Sequence, residues 1–432
     1  MSRQRAPIRP PVVLTIAGSD SGGGAGIQAD LKTIEAGGAF GTSVITSVTA
    51  QHTRGVESTH LLPRDEIAAQ YEAVTSDFDV KAVKTGMLAT REIVELVTDR
   101  LADLSVPVVV DPVMVAASGD RLLDADAESA YQELAREATL LTPNADEAEM
   151  LTGVDIETTA DARRAGEQLV AEGVNAVLLK GGHVPGDEVI DLLITEAGVE
   201  RLSHPRVETD ATHGSGCTLS AAIATRLGHD DDLPAAVRSG TDLLERAVRY
   251  SIDVGEGPGP VHHMVDIRNR ARREPTAEAV RWVLRQFVDQ DVSSLVPEVG
   301  MNIVGATPYA ESPEECVAIE GRIGRTLDGI APTGDVRFGA SNHVARFLLS
   351  AREFEPEYRY ALNCRFDDRV EEALESLNWA VGEFDRSEVP PVAVFDRGDH
   401  GKEPMTKLLA ADEQILFERT MALLDELERT EE

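Results

Sequence analysis

The first half of the chain alternates short apolar segments with longer segments of helical periodicity, and this alternation restricts the fold more than any other feature. Segment 11–18, PVVLTIAG, is an unbroken apolar run of strand length, and segment 27–38, IQADLKTIEAGG, has helical spacing and ends in two glycines. The same alternation continues through strand-like and helical segments at 42–51, 65–78, 81–87, 90–104, 106–113, 161–173 and 175–182. This order predicts an α/β fold with a mainly parallel sheet flanked by helices.

The chain is too long for one ordinary core, because 432 residues exceed the size at which a single core stops growing. A hairpin pattern at 192–210 and two helical segments, 216–228 and 234–253, precede GEGPGP at 255–260, which cannot continue a helix. A new helix is predicted to begin at about Thr276. We therefore predict a loose tail at 1–10, a first domain at 11–264 and a second α/β domain at 276–432.

The charge balance limits the partners of this chain. Acidic residues number 76 against 41 basic ones, a net charge of −35, and such a surface repels nucleic acid and anionic membranes. Lysine occurs only six times, and the acidic residues are spread over helical segments. We interpret this as adaptation to a salt-rich cytoplasm, where ions screen self-repulsion. An ordinary acidic protein is the alternative.

The sequence predicts a cytoplasmic protein. The sequence holds no run of about 18 apolar residues and no apolar segment behind its first charged residues, so neither a membrane helix nor a secretory signal is predicted. Its three cysteines, Cys217, Cys316 and Cys364, are far apart and lack metal-site spacing. That pattern fits a reducing compartment.

Two glycine-rich loops precede helical segments. The loop in IAGSDSGGGAGIQAD (16–30) follows a strand, and THGSGC (212–217) leads into TLSAAIATRLG. The N-terminus of a helix favours anions, so each loop could receive a phosphate. A tight turn that permits close packing explains a lone loop equally well. A dinucleotide site fits poorly, because no acidic residue ends a second strand to hold a ribose.

Polar residues at the ends of predicted strands favour phosphate chemistry. Asn144 and Glu147 are three residues apart at a loop–helix junction and can face one site. Glu147 could orient Mg²⁺ through water, Asp111 supplies a second carboxylate, and Lys180 can reach a phosphate. Each also has an ordinary structural explanation, as a helix cap, a turn residue and a surface lysine. Their order along the chain favours a kinase site.

These motifs together resemble the ribokinase-like hydroxymethylpyrimidine/phosphomethylpyrimidine kinases of thiamine biosynthesis. The resemblance spans the first ~260 residues and includes SVITSVTAQHTRGV, VKTGML, DPVMVAASG, LTPNADEAEMLTG, LLKGGH and THGSGCTLSAAIA. It implies ATP- and Mg²⁺-dependent phosphorylation of 4-amino-5-hydroxymethyl-2-methylpyrimidine, followed by phosphorylation of the monophosphate to the diphosphate. By analogy with related kinases, a homodimer is expected.

The resemblance also implies roles for individual residues. Gln51 reads the pyrimidine, since an amide carries both a donor and an acceptor, while His52 replaces the commoner Asn with little expected consequence. The pocket wall is formed by Gly18, Met87 and Val113. The ATP and phosphate groups are bound by Lys180, Asn144, Thr212, Gly214, Ser215 and Gly216.

Cys217 is the candidate general base. A helix N-terminus lowers the pKa of a thiol, so Cys217 is expected to accept the proton of the hydroxymethyl group. The second phosphorylation needs no base, because the attacking phosphate oxygen is already anionic, and a fixed carboxylate would repel that substrate. The alternative is a small buried thiol with no chemical role.

The second half of the chain shows anion-binding patterns. Arg322 and Arg325 lie among glycines in GRIGR, and His343 begins a helical segment behind the small residues of GASNH. The alternative is that His343 caps the helix or packs, as lone histidines more often do. The remaining phosphate-binding candidates are Gly339, Ala340, Ser341, Asn342 and Lys402.

PEVGMNI, GRIGR, GASNHVAR, RYALNCRF and DRGDHGKEPM resemble the archaeal-type thiamine-phosphate synthase domain. That family joins the pyrimidine diphosphate to thiazole phosphate and releases pyrophosphate, and its important arginine and histidine correspond to Arg322 and His343. Asn342 stands where Ser is common. Arg322, His343 and the 339–342 backbone are together expected to stabilise the departing pyrophosphate, with Mg²⁺.

Two alternatives stay open at this point. A pyridoxal kinase shares the fold, although Gln51 and the second half of the chain disfavour it. The second half could also sense a ligand without catalysis, since related domains act as regulators. The presence of both Arg322 and His343 favours catalysis.

Overall fold

A computed structural model describes residues 6–114, 127–184, 186–383, 391–398 and 403–429. The chain divides into two compact units, Met1–Val265 and Asp266–Glu432. Among the described residues, no helix combines the length and the apolar character needed to cross a membrane.

The first unit contains a nine-stranded sheet. Its strands are β1 (Val12–Asp20), β2 (Phe40–His52), β3 (Gly55–Leu61), β4 (Val80–Thr85), β5 (Val108–Val110), β6 (Leu140–Leu141), β7 (Ala176–Leu179), β8 (Glu188–Thr195) and β9 (Gly198–Pro205). They lie in the order β3-β2-β1-β4-β5-β6-β7-β8-β9. The six inner strands are parallel, namely β2, β1, β4, β5, β6 and β7. Strand β3 at one edge and strands β8 and β9 at the other are antiparallel additions. The predicted mainly parallel sheet is confirmed.

Helices cover both faces of this sheet. They are α1 (Gly26–Ala36), α2 (Arg64–Asp77), α3 (Arg91–Ala102), α4 (Glu128–Glu137), α5 (Ala145–Thr152), α6 (Thr159–Ala171), α7 (Ser215–Gly228) and α8 (Leu233–Arg249). Ile34, Leu219 and Val237 place α1, α7 and α8 on one face, whereas α2 to α6 pack into the core on the other face. Thr90 caps α3, since its Oγ1 accepts the N–H of Ile93 at 3.4 Å.

Strand β3 was not predicted from the sequence. Its seven residues, GVESTHL, pair with β2 in antiparallel register and are half-buried or exposed throughout. An edge strand without a buried face carries no apolar run, so hydrophobic periodicity cannot detect it.

The parallel strands bring their carboxyl ends to one edge of the sheet. β1, β2 and β4 end at Asp20, His52 and Thr85, and the next three strands end just before Asp111, Thr142 and Lys180. In open parallel sheets, ligands bind at this edge.

The second unit is built on a largely antiparallel sheet. Its helices are α9 (Val265–Ala271), α10 (Arg273–Gln290), α11 (His343–Arg352), α12 (Asp368–Ser376) and α13 (Glu413–Arg429). Its strands are β10 (Asn302–Ala306), β11 (Cys316–Ile319), β12 (Ile323–Thr326), β13 (Gly329–Pro332), β14 (Val336–Phe338), β15 (Tyr360–Arg365), β16 (Val381–Glu383), β17 (Ala393–Asp396) and β18 (Met405–Ala410).

Seven of these strands form one sheet in the order β14-β11-β10-β15-β18-β17-β16, and β12 and β13 form a separate hairpin. Helices α10, α12 and α13 pack on one face of the sheet, and α11 packs on the other. The second α/β region predicted from the sequence is therefore present.

Candidate active site

The carboxylate of Asp20 organises the first glycine-rich loop. Its Oδ1 accepts the N–H of Gly22 at 2.8 Å, and its Oδ2 accepts the N–H groups of Gly24 and Ala25 at 3.0 and 2.8 Å. Burial raises the pKa of Asp20, but the hydrogen bonds from His213 and from the backbone outweigh burial and hold that pKa below its usual value. Asp20 is therefore an ionised acceptor at neutral pH.

The two glycine-rich loops press against each other. A Cβ at Gly214 would lie 1.8 Å from the carbonyl oxygen of Gly24, and Gly214 has a φ of +81°. A Cβ at Gly24 would in turn lie 2.5 Å from Cδ2 of His213. Glycine is required at both positions because each backbone approaches the other loop within van der Waals distance.

Gln51 lies beside this junction, at the end of β2. Its Nε2 is 3.3 Å from Nε2 of His213, which is itself 3.2 Å from Oδ2 of Asp20. Its Oε1 is 3.1 Å from the hydroxyl of Thr49. The residue expected to read the pyrimidine is thus joined to both glycine loops.

Two of the predicted pocket-wall residues are in contact. A Cβ at Gly18 would lie 2.8 Å from Cε of Met87 and 2.7 Å from Oγ of Ser47. Val113 follows the next strand, where its N–H donates to the carbonyl oxygen of Asp111 at 2.9 Å. Gly18 is therefore closely enclosed, and Val113 lies beside the carboxylate cluster described next.

Lys180, Asp111 and Glu147 form an ionic cluster at the same edge of the sheet. Nζ of Lys180 lies 3.0 Å from Oδ1 of Asp111 and 3.6 Å from Oε2 of Glu147. Thr142 donates its hydroxyl to Oδ1 of Asp111 at 3.2 Å. The structure thus brings together the lysine and both carboxylates that the sequence selected.

Glu147 has a structural role as well. Asn144 and Glu147 form a capping box at the start of α5, in which each side chain accepts the other's backbone N–H at 2.8 Å. Burial raises the pKa of Glu147 to about 7, opposed by Lys180 and reinforced by Asp111. The cap explanation is therefore correct, and it leaves the carboxylate beside Lys180.

Two buried carboxylates beside one ammonium fit Mg²⁺, which prefers oxygen ligands and takes one or two protein carboxylates while substrate phosphates and water complete its shell. Asp111 and Glu147 would hold that ion, and it would supply charge neutralisation for phosphate groups. Within the residues described, no group of three or more histidine, cysteine or acidic side chains could hold a metal on its own.

The first turn of α7 lies against this cluster. A Cβ at Gly216 would be 3.3 Å from Nζ of Lys180 and 3.4 Å from Oδ2 of Asp111. Upstream, Ser215 donates its N–H to the carbonyl oxygen of Thr212 at 3.1 Å, which closes the turn into the helix. A helix N-terminus and a lysine thus meet at one point, as an anion site requires.

The expectation of a lowered pKa at Cys217 is wrong for the free protein. Burial raises the pKa of this thiol to about 11, while Lys84 lowers it and Asp30 and Asp111 raise it further. The N–H of Gly26 acts in the lowering direction. The loss of hydration outweighs the helix N-terminus because the thiolate would be formed away from water.

Sequence reasoning missed a buried ion pair near Cys217. Nζ of Lys84 lies 2.9 Å from both carboxylate oxygens of Asp30, and the hydroxyl of Thr15 donates to Asp30 at 2.6 Å. Both charged side chains are completely buried. Lys84 stands in a strand-like segment and Asp30 in a helical one, so no local pattern distinguishes them from surface residues. Asp20 and His213 were also missed as site residues, although both occur in the glycine loops.

The predicted synthase residues are less closely assembled. Gly339 donates its N–H to the carbonyl oxygen of Cys316, the first residue of β11. Arg322 follows the last residue of this strand, and the strand is about 10 Å long. In the described part of the chain, no hydrogen bond or ion pair joins Arg322 to His343. The structure therefore places Arg322 and the 339–342 segment at opposite ends of β11.

The other synthase candidates have local contacts. Arg325 donates through Nε to the carbonyl oxygen of Val296 at 2.9 Å. Asn342 accepts from Nε of Arg346 at 2.5 Å, and His343 is exposed at the start of α11. Ala340 and Ser341 are half-buried in the segment before that helix. Lys402 lies outside the described residues.

Comparison with protein families gives two matches along the chain. The family described as "Phosphomethylpyrimidine kinase" matches residues 20–262, and the family described as "Thiamine-phosphate synthase ThiN" matches residues 279–421. The two matches follow each other without overlap.

Similar curated proteins include kinases and fused enzymes. The hydroxymethylpyrimidine/phosphomethylpyrimidine kinase of Streptomyces coelicolor is 47% identical over 61% of this chain and 98% of its own length. The thiamine biosynthesis multifunctional protein ThiED of Corynebacterium efficiens is 43% identical over 86% of this chain and 51% of its own length.

Solved structures resemble the first unit. An ADP complex of Bacillus subtilis pyridoxal kinase has a TM-score of 0.56 and 33% identity, covering 59% of this chain and 97% of that one. A phosphomethylpyrimidine kinase from Clostridium difficile has a TM-score of 0.50 and 40% identity, covering 55% of this chain and 99% of that one.

Proposed function

Because the chain belongs to the phosphomethylpyrimidine kinase family and carries a thiamine-phosphate synthase domain behind the kinase, we propose that its two units make and consume the same pyrimidine diphosphate. Residues 11–264 phosphorylate 4-amino-5-hydroxymethyl-2-methylpyrimidine and then its monophosphate. Residues 276–432 join the diphosphate to thiazole phosphate and release pyrophosphate. The observation that carries the kinase assignment is the cluster of Lys180, Asp111 and Glu147 against the first turn of α7.

The proposed phosphoryl transfer depends on positioning and charge. The substrate hydroxyl attacks the γ-phosphorus of ATP, the bond to the bridging oxygen breaks, and ADP leaves. Lys180 and the N–H groups of residues 214–216 stabilise the oxygens of the transferring group, with Thr212 and Asn144 lining the phosphate path. The use of ATP is supported by similar kinases solved with ADP and with AMP-PCP.

Asp111 and Glu147 are the proposed holders of Mg²⁺, which would neutralise the phosphates of ATP. Glu147→Gln should raise the Mg²⁺ concentration needed for half-maximal activity by about ten-fold or more, since glutamine keeps the cap but lacks the charge. Asp146→Asn, an exposed neighbour on the same helix, is the matched control. An unchanged Mg²⁺ requirement in Glu147→Gln would remove that residue from the metal site.

Gln51 is the proposed reader of the aminopyrimidine ring, and Gly18, Met87 and Val113 form the wall beside it. The amide offers a donor and an acceptor to the ring. The position of Gln51 at the end of β2, joined to the THGSGC loop through His213, supports a site in which the ring and the phosphate loop face the same substrate.

Cys217 is the proposed acceptor of the hydroxymethyl proton in the first step. Its pKa of about 11 in the free protein means that the thiol holds its own proton at neutral pH. The role therefore requires that the thiol first release this proton to water once the substrates are bound, so that the thiolate can accept the hydroxymethyl proton during transfer. In the second step the attacking oxygen is a phosphate oxygen and needs no base.

For the synthase we propose two separate anion-binding points. The reaction breaks the bond between the pyrimidine methylene carbon and the diphosphate oxygen, and the thiazole nitrogen forms a new bond to that carbon. Both substrates are phosphorylated, and the separation of Arg322 from the 339–342 segment along β11 suits two anions. Arg322 and Arg325 would bind one anion, and His343 with the backbone of 339–342 would bind the other. Lys402 stays a phosphate-binding candidate that is assigned to neither point.

A coupled assay on the full-length protein tests the whole proposal. Supplied with the hydroxymethylpyrimidine, ATP, Mg²⁺ and thiazole phosphate, the protein should form thiamine phosphate. Arg322→Ala and His343→Ala should accumulate pyrimidine diphosphate instead, with the kinase unchanged. A protein that makes the diphosphate but no thiamine phosphate would support a ligand-sensing second unit, and a preference for pyridoxal would support the pyridoxal kinase alternative.

We also propose a homodimeric enzyme of a salt-rich cytoplasm with no nucleic-acid or membrane partner. A net charge of −35 supports the salt-rich compartment, because salt screens the repulsion between the acidic residues. The same charge disfavours nucleic acid and anionic membranes as partners. The melting temperature should rise between 0.1 M and about 2 M KCl, and light scattering should give twice the mass of the chain. A melting temperature independent of KCl would contradict the salt adaptation.

A further inference from the structure

The hydrogen bonds around Gln51 contain a conflict that fixes how its amide is oriented. Nε2 of His213 faces two partners, Oδ2 of Asp20 at 3.2 Å and Nε2 of Gln51 at 3.3 Å. Asp20 is an ionised acceptor that already holds three backbone N–H groups. His213 must therefore carry a proton on Nε2 and donate it. A protonated Nε2 cannot accept from an amide N–H, so the Gln51 atom that faces it has to be the oxygen.

A second conflict lies at the other end of the same amide. The hydroxyl of Thr49 is 2.9 Å from the carbonyl oxygen of Ser19 and 3.1 Å from Oε1 of Gln51. A hydroxyl has one proton, and the Ser19 carbonyl can only accept it. Thr49 must then accept from Gln51, so the Gln51 atom beside it has to be the nitrogen.

One rotation of the amide by 180° removes both conflicts. Amide oxygen and nitrogen have nearly the same shape, and their assignment follows from the hydrogen-bond network. After the rotation, Oε1 shares the single Nε2–H of His213 with Oδ2 of Asp20 in a three-centre hydrogen bond, and Nε2 of Gln51 donates to Thr49. The two constraints are independent, because they involve different partners at opposite ends of the amide.

We infer that His213 and Thr49 are positioning residues that fix the amide of Gln51 and so set the order of acceptor and donor presented to the substrate ring. This inference rests on the proposed role of Gln51. With one lone pair directed to His213 and one N–H to Thr49, the amide presents its other lone pair and its other N–H side by side. It therefore offers an acceptor on the His213 side and a donor on the Thr49 side.

This order selects a 4-aminopyrimidine. The edge of that ring has an exocyclic amine, a donor, next to a ring nitrogen that accepts. A 4-oxopyrimidine has the reverse order, with a carbonyl acceptor next to a ring N–H. The ring cannot turn over to compensate, because its hydroxymethyl group has to reach the phosphoryl group at Lys180. A fixed amide therefore rejects the 4-oxo analogue, as sites built around hydrogen-bond complementarity do.

The test compares full-length variants on 4-amino-5-hydroxymethyl-2-methylpyrimidine and its 4-oxo analogue. His213→Ala and Thr49→Val should each raise KM for the amino substrate more than they lower kcat. Each should also reduce the amino-over-oxo ratio of kcat/KM by about ten-fold, the size of one hydrogen bond. Thr49→Ser keeps the hydroxyl and should keep the ratio. His52→Ala, an exposed neighbour paired with Glu57, should match the wild type.

Failure of the inference is distinct from failure of the proposed function. A wild-type protein that does not phosphorylate the amino substrate would overturn the proposed function. A wild-type enzyme whose His213 and Thr49 variants lose activity equally on both analogues would overturn the inference alone. Nitrogen NMR of the histidine rings in the full chain gives a readout without turnover: Nε2 of His213 should carry a proton, and an unprotonated Nε2 would contradict the assignment even if a variant fails to fold.

Discussion

The ammonium of Lys180 lies 3.0 Å from the carboxylate of Asp111, at the point where α7 begins. The two residues are 69 positions apart in the chain, and they meet because β5 and β7 end at the same edge of the parallel sheet. In the free protein the pair neutralises itself. A bound phosphate would bring negative charge to the lysine, and Mg²⁺ would bring positive charge to the aspartate.

Lys180→Met should lower kcat of the kinase by about 100- to 1,000-fold, the usual cost of removing one charge-stabilising donor. Both phosphorylation steps should suffer, because both pass through the same transferring group. Steady-state assays of each step would measure this. Lys81→Met is the control, since Lys81 is half-exposed and pairs with Asp79. A Lys180→Met enzyme that kept a tenth of its activity would contradict the role.

The thiol of Cys217 should react slowly with iodoacetamide at neutral pH and faster as pH rises, without levelling off below a pH of about 11. Burial raises its pKa to about 11, and only the thiolate reacts. Mass spectrometry of the modified peptide against pH gives the profile, with the buried Cys316 as an internal comparison. A reaction rate that levels off near pH 7 would show that the helix N-terminus lowers the pKa of Cys217 more than burial raises it.

Cys217→Ala should reduce the first phosphorylation more than the second. The alcohol must lose a proton, whereas the attacking phosphate is already anionic. General-base contributions are typically about 100-fold or more, so the ratio of the two rates should change by about that amount. Equal losses in the two steps, measured with hydroxymethylpyrimidine and its monophosphate separately, would rule out a base.

Gly214→Ala should be far more damaging than Gly153→Ala, although both glycines have positive φ, +81° and +70°. A Cβ at Gly214 would lie 1.8 Å from the Gly24 carbonyl oxygen, while a Cβ at Gly153 meets nothing within 4 Å. Gly153→Ala should cost only the left-handed strain of about 1–2 kcal/mol. Gly214→Ala should also displace the loop and abolish kinase activity.

Hydrogen exchange in the first unit is the appropriate measurement for this pair, because both tryptophans, Trp282 and Trp379, lie in the second unit. Exchange in peptides from β1 and α7 should increase in Gly214→Ala and stay near wild type in Gly153→Ala. Similar exchange and activity in the two variants would show that the loops are not in close contact.

Lys84→Met should destabilise the first unit by about 3–5 kcal/mol, because it leaves the fully buried carboxylate of Asp30 without its partner. Adding Asp30→Asn should recover part of this loss, since the double variant no longer buries a lone charge. Hydrogen exchange of the β1 and β4 peptides would measure both. A double variant no more stable than Lys84→Met would indicate that packing of the lysine chain, rather than its charge, is what matters.

Glu147→Gln should gain stability relative to the wild type as pH rises from about 4.3 to about 7. The folded protein raises the pKa of Glu147 from its usual value of about 4.3 to about 7. The folded state then binds a proton more tightly than the unfolded state, so wild-type stability from this group is lost across that window. Hydrogen exchange of the α5 peptides, corrected for intrinsic exchange rates, would measure the stability of both proteins. The difference between Glu147→Gln and the wild type should grow up to pH 7 and then level off.

The parallel sheet was predictable because its strands are buried on both faces. Such strands appear in sequence as unbroken apolar runs, like PVVLTIAG, and the helices between them carry their own periodicity and stop signals. The edge strand β3 escaped prediction because one-sided or exposed strands lack that signal. The site residues Asp111, Asn144, Glu147 and Lys180 were selected correctly as neighbours because each follows a parallel strand.

Other properties depend on distances between segments that are remote in sequence. The cap formed by Asn144 and Glu147 is local and could be anticipated. The pairing of Lys84 with Asp30, the raised pKa of Cys217 and the separation of Arg322 from residues 339–342 could not, because hydration and register are properties of the folded chain.

The sequence by itself determined that this chain alternates strands and helices, places polar and charged residues at the ends of its strands and joins a kinase to a synthase domain. Apolar periodicity and motif order depend on residues that are close together in the chain, so the sequence alone shows them. Only the tertiary structure decided which charged groups are buried away from water and which polar groups form hydrogen bonds with one another. Those outcomes depend on burial and on angstrom-scale contacts, such as His213 between Asp20 and Gln51, that arise when loops from different strands meet.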